Sequence, residues 1–283
     1  MNFRPAAKAL LLPLAGGIAC SVQAVAAPPP MPANAPSYAD LADLADAAPS
    51  VIRAKVARVA VVEPARAPGV RPGWARIYVE ARVSALLAGP PLAGDAIRYL
   101  ADVPLDARGK VPRLAKREVL LFGRSVEGKT GQLQLVAPDA QLPFDPVLEQ
   151  RVRAVLAELL AAGAPGRVDK VREAIFVPGT LAGAGETQMF LSTADGEPAS
   201  ITVVHTPGEP PRWSVSFSEI VDSSGEPPAR DTLAWYRLAC FLPATLAPAA
   251  NVSATPDDKA RAGSDYAMVR GSLGACPRTR SPA

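Results

Sequence analysis

Ile77-Tyr78-Val79-Glu80-Ala81-Arg82-Val83-Ser84 decides the fold class, because its apolar and polar residues alternate one for one, and a period of two belongs to a half-buried strand. Ile77, Val79, Ala81 and Val83 point one way, Tyr78, Glu80, Arg82 and Ser84 the other. Upstream, Val51 to Val62 alternates as well, but Arg53 and Lys55 lie on one face and Arg58 on the other. That slip of phase predicts a bulge that bends the strand. Downstream, Ala96 to Val103, Glu118 to Val126 and Gln132 to Val136 supply three more runs, separated by Gly and Pro. Five such strands within residues 37–145 predict a small OB-like β-barrel domain.

Beyond Asp145 the pattern changes. Asp145-Pro146 with Glu149 opens a helix, and Leu148, Val152, Val155, Leu156, Leu159 and Leu160 form one apolar stripe that ends at Gly163. Val168, Val171 and Ile175 recur at helical spacing and predict a second, shorter helix closed by Pro178 and Gly179. Thr187 to Thr193, Ala199 to Thr206 and Trp213 to Val221 predict an antiparallel meander, divided by Asp195-Gly196 and Pro207-Gly208. In the last run Trp213, Val215 and Phe217 alternate with Ser214, Ser216 and Ser218, so one face is core and the other meets water or a partner. Asp231 to Leu242 reads as a nearly buried helix, and Thr255-Pro256-Asp257-Asp258 opens another. The fold class expected is α+β: an OB-like barrel over 37–145, then a second α+β domain over 146–283.

The N-terminal end sets the compartment. Arg4 and Lys8 precede an apolar run, Ala9 to Ala19, too short to span a bilayer, and Ala24-Val25-Ala26 offers a small-x-small cleavage site. Residues 1–26 therefore read as a signal peptide, and 27–36, with five prolines, as an extended linker. Gly16-Gly17-Ile18-Ala19-Cys20 also satisfies a loose lipobox, which would make the chain an outer-membrane lipoprotein anchored through Cys20. Either way the expected location is the periplasm or the outside of the cell. Removing Arg4 and Lys8 takes the formal charge from +3 to about +1, so net charge gives no argument for nucleic acid. No apolar run after the signal is long enough to cross a membrane. Whichever way the signal is processed, Cys240 and Cys276 are left as a pair, and an oxidising compartment would join them.

Few residues carry chemistry. Gly123-Arg124-Ser125-Val126-Glu127-Gly128-Lys129-Thr130 matches the P-loop expression, but the strand-like Gly131 to Val136 follows it where a helix is required, so it reads as a hairpin turn. His205 is the only histidine. On its strand it shares a face with Ile201 and Val203, near Glu219 of the next strand, which makes His205 and Glu219 the candidate catalytic pair of a hydrolase; a structural histidine is the plainer reading. No cofactor or metal is expected, because one histidine and two bridged cysteines leave only carboxylates, and Asp257-Asp258 sit where helix capping explains them. Asn251-Val252-Ser253 matches a glycosylation sequon and reads as chance behind a bacterial-type signal. Between the third and fourth strands, Arg108, Lys110, Arg113, Lys116 and Arg117 face a single acid, Asp106. This is either a solvated loop or a ligand-binding rim for an anionic envelope component such as a lipid head group or acidic glycan.

Two resemblances bear on these readings. The bent first strand, the strand end Ala81-Arg82-Val83-Ser84-Ala85-Leu86-Leu87-Ala88-Gly89-Pro90 and the late Val119-Leu120-Leu121-Phe122 strand resemble the OB modules of netrin-like and tissue-inhibitor-of-metalloproteinase-like proteins. The N-terminal cysteine framework of those modules is missing, so the resemblance implies a barrel and carries over no functional residue. Trp213 to Val221 and Trp235-Tyr236-Arg237-Leu238-Ala239-Cys240 resemble an uncharacterised group of bacterial exported proteins, which implies export and names no activity. The expected function is non-enzymatic: binding an anionic envelope component or another envelope protein, without nucleic acid. A periplasmic hydrolase using His205 is the alternative.

Overall fold

A computed structural model describes residues 35–218 and 225–280. The signal segment, Cys20 and most of the proline-rich linker lie outside these residues, as does Glu219. The period-two stretch forms the middle of β2, Trp74–Ala88, which pairs antiparallel with β1, Ser50–Val61, and with β3, Ala96–Pro104. On its other side β1 pairs with β4, Glu118–Ser125, and β4 pairs with the short β5, Leu133–Leu135, and β6, Gln141–Pro143. The sheet order is β3-β2-β1-β4-β5, with β6 on β4. Its two ends meet through an Arg98 N–H to Gly131 O bond of 2.8 Å, a parallel Arg98/Gln132 bridge and an Asp102 N–H to Pro138 O bond of 2.7 Å. No continuous ladder closes the barrel among the described residues.

The bulge expected in β1 is present. Its register slips between Val56 and Arg58, where the charged residues change face, and again at Val51/Ile52 and Arg53/Ala54. The slip at Val56/Arg58 puts the extra residue in β1 and the other two put it in β2; before the β1 bulge, plain alternation turns Ile52, Ala54 and Val56 inward onto a core with Ile77, Val79, Ile97, Tyr99, Val119 and Leu121. Val51, Leu120 and Phe122 face the other way, into a second and larger core. β4 is thus buried on both faces from Val119 to Phe122, which is why that run is continuously apolar.

The second sheet runs β10-β9-β8-β7, all antiparallel: β7 Val168–Pro178, β8 Gly185–Thr193, β9 Ala199–His205 and β10 Arg212–Ser216. The meander is as read, but the helix expected at Val168, Val171 and Ile175 is strand β7. Two register slips, between Val168 and Lys170 and between Val171 and Glu173, each insert an extra residue. They bring Val168, Val171 and Ala174 to one face at a spacing of three, which imitates a helical stripe. On the serine face of β10 only Ser214 differs from expectation, being buried opposite Thr202 of β9, while Ser216 is half-buried and Ser218 exposed.

Four helices join the sheets. α1, Tyr38–Ala47, opens with a capping box between Ser37 and Asp40. α2, Pro146–Leu159, is capped by Asp145, whose carboxylate accepts from the Val147 and Leu148 N–H groups. α3 spans Leu233–Ala239, and α4, Pro256–Leu273, opens with the Thr255/Asp258 capping box. Leu41, Leu44, Val152, Val155, Leu156, Leu233, Trp235, Tyr236, Tyr266 and Val269 share one core with the inner residues of the second sheet. That core draws on both sides of residue 145, and Pro36–Ala283 form one compact unit.

The C-terminal residues fasten across α1. Cys276 is joined to Cys240 at the end of α3, with Cα atoms 5.2 Å apart. Beyond it the Thr279 N–H and hydroxyl donate to Asp40 Oδ2 at 2.9 and 2.7 Å, and the Arg280 N–H donates to Asp40 Oδ1 at 3.1 Å. Arg278 pairs with Asp43, and Arg280 with Asp139. Burial would raise the Asp40 carboxyl, but the bonds from Thr279 and Ser37 outweigh it and hold the group below its usual range.

Because that folded value is depressed, the contribution of Asp40 is complete above the ordinary carboxylate range and is lost as pH falls through and below it. Asp40→Asn should cost about 2 kcal/mol in urea unfolding at neutral pH. It should also expose Arg278 and Arg280 to limited trypsin cleavage that the parent resists. A reduced, Cys276→Ser chain should lose about 3 kcal/mol more, read in the same assay.

Candidate functional site

The chain leaves β3 at Pro104 and re-enters the sheet at Glu118. The loop between is held at both ends: Leu105 N–H donates to Gly73 O, Lys116 N–H donates to Val56 O, and Val56 N–H donates to Arg117 O, at 2.8 to 2.9 Å. Inside it, one Asp106 carboxylate oxygen accepts from the Arg108 and Lys110 N–H groups, both at 2.9 Å. Val111 and Leu114 pack against the core of the first sheet. Lys116 takes a left-handed backbone, φ 68°, which reverses the chain just before the strand. With its two apolar residues inward and its acid engaged by backbone, the loop sends every cation outward: Arg108, Lys110, Arg113, Lys116 and Arg117 are all exposed. None forms an ion pair among the described residues.

The surroundings strengthen this positive field. Residues 50–143 carry fifteen Lys and Arg against eight Asp and Glu, whereas residues 146–283 carry thirteen against fifteen. Several acids of the first sheet are already spent on internal pairs: Asp102 with Arg76, Asp95 with Arg82, Asp139 with Arg71 and Glu118 with Arg53. The near-neutral total therefore conceals a basic half.

A cleft of about 630 Å³ lies over the place where β3 and β5 approach each other, lined by Tyr78, Arg98, Leu100, Lys129 and Gln132 among others. Leu100 is exposed there. Periodicity marked its outward position, but the approach of β5 is a tertiary fact. The P-loop-like segment is a hairpin connection: Gly123 to Ser125 end β4, and strand β5, not a helix, follows the turn.

His205 stands at the end of β9, and its Nε2 lies 3.0 and 2.9 Å from the two oxygens of Asp265 on α4. A carboxylate only accepts, so Nε2 carries the hydrogen. The Thr187 hydroxyl on β8 also donates to Asp265, and the Phe176 ring stands edge-on to the imidazole at 5.9 Å. The His205 side chain is 9% exposed and that of Asp265 5%. The partner expected on the neighbouring strand, Glu219, lies outside the described residues; the described partner is Asp265. Its signal was in the sequence, since Ala262, Asp265, Tyr266, Val269 and Leu273 make one buried stripe on α4 with a carboxylate in it. An aspartate that fixes an imidazole tautomer is one part of a hydrolytic site. The observed packing uses the pair to tie α4 onto the second sheet.

Among the described residues no cluster of three or more His, Cys, Asp or Glu side chains could hold a metal. Asp258 caps α4, as its position suggested, and no described helix is long and apolar enough to cross a membrane. No family model matches this chain, and comparison with curated proteins finds no match.

His205→Ala removes the counter-group of a buried carboxylate and should lower stability by about 3 kcal/mol in equilibrium unfolding. His205→Ala with Asp265→Asn should lose less than the two single changes summed, because the second removes the charge stranded by the first.

Proposed function

We propose that this chain is an exported, non-enzymatic binding protein of the bacterial cell envelope, which takes an anionic partner at the rim of an OB-like barrel. The observation that carries the reading is the loop of Arg108, Lys110, Arg113, Lys116 and Arg117, exposed and without ion pairs among the described residues, on a rigid support of backbone hydrogen bonds. Five cations without carboxylate partners are electrostatically costly to keep together unless they meet negative charge, so their concentration on one loop favours a ligand role.

The barrel reading is supported by the strand order β3-β2-β1-β4-β5 together with the parallel contact of β3 and β5, the arrangement of a five-stranded, partly open Greek-key barrel. It is the same architecture implied by the netrin-like resemblance. Export is supported by the signal-like first residues and by the Cys240–Cys276 disulfide, which is compatible with an oxidising compartment. Periplasmic or secreted chains and a lipoprotein held through Cys20 both fit this reading.

A second reading, a hydrolase at His205, draws on one observation, the Asp265 carboxylate that fixes the imidazole. It would need a nucleophile and an opening to substrate beside the ring.

The binding reading is tested on a column of immobilised sulfated polysaccharide. The parent should be retained and elute with salt. A variant carrying Arg108→Gln, Lys110→Gln, Arg113→Gln, Lys116→Asn and Arg117→Gln should elute much earlier with an unchanged melting curve, asparagine being chosen because it tolerates the left-handed backbone at 116. Coincident elution of the two proteins would sink the proposal.

A further inference from the structure

The partner can be narrowed from where the cations sit, an inference that rests on the binding reading above. The basic loop is not alone at its end of the first sheet. It starts against Gly73, at the end of the β1–β2 connection, and finishes against Val56 of β1. That connection is therefore its neighbour, and it adds exposed Arg66, with exposed Glu63 ahead of it. Just before the connection, Val61 closes β1 with 60% of its surface exposed.

We infer that this end of the first sheet docks flat on an anionic phospholipid bilayer, with the cations against phosphate groups and Val61 entering the interfacial layer. Three observations favour a membrane over a soluble anion. The six cations are spread along two connections at intervals of a few residues, which suits many separate phosphates better than one ligand. An exposed valine at the start of one of these connections gains nothing from a hydrophilic polymer but gains burial at the bilayer boundary. Residues 146–283, with fifteen acids to thirteen cations, are not drawn to the same surface, so the charge balance favours one orientation.

The test is sedimentation of the full chain with vesicles of phosphatidylcholine alone and of phosphatidylcholine with phosphatidylglycerol. The anionic vesicles should carry the protein down at low salt, and the neutral ones should not. Neutralising the five loop cations should weaken binding by about tenfold or more. Val61→Ser should weaken vesicle binding while leaving retention on the sulfated polysaccharide nearly unchanged, a split that a purely ionic contact would not give. Equal binding to neutral vesicles would overturn the inference. So would failure on anionic vesicles by a protein that the polysaccharide still retains in a loop-dependent way; the partner is then a glycan, and the binding reading stands. Loss of both interactions would remove the reading as well.

Discussion

Helix α1 has a dry side and an acidic side, and both sheets depend on having the two at once. Ala39, Leu41, Ala42, Leu44 and Ala45 enter the common core against β4, α2 and α3. Asp40, Asp43 and Asp46 recur every third residue and take, respectively, the backbone and hydroxyl of Thr279 with the Arg280 amide, the Arg278 guanidinium with the Tyr236 hydroxyl, and the Arg237 guanidinium. A helix of this length is marginal alone. Its apolar stripe fixes the rotation, and the carboxylates fix what lies across it. Burial and the neighbouring Asp43 push the Tyr236 phenol far above its usual range, so it stays a hydrogen-bond donor at any pH the protein meets.

What could be read without coordinates follows from how local each constraint is. The β1 bulge was legible because the charged residues 53, 55 and 58 break phase within one strand. The caps at Asp145 and Thr255 were legible because their partners lie within three residues. β7 was misread for the same kind of reason: two bulges put its apolar residues three apart, and periodicity alone cannot separate that from a helix. β-branched Val168, Val171, Ile175 and Val177 were the available counter-signal. For the site, the loop cations were visible as composition, whereas the partnership of His205 with Asp265 spans 60 positions and needs α4 laid against β7.

The surface proposed for binding borrows its rigidity. Arginine and lysine on a free loop lose much side-chain and backbone entropy when a partner is bound. Here half-buried Val111 and Leu114 pack against the core of the first sheet, Asp106 ties the early turn, and two bonds to Val56 fix the exit. Most of the backbone cost has been met in folding, which leaves only the side chains to order.

Asp40 also joins places far apart in the sequence. The same carboxylate oxygen receives Ser37, the first capping residue of the fold, and Thr279, near the last described one. Entry and exit of the folded unit therefore meet at a single side chain. Tension applied between these two points would load that carboxylate and its neighbours before it reached either sheet. It is also suited to circular permutation, since a short peptide could bridge Ser37 and Arg280 without crossing the body of the protein.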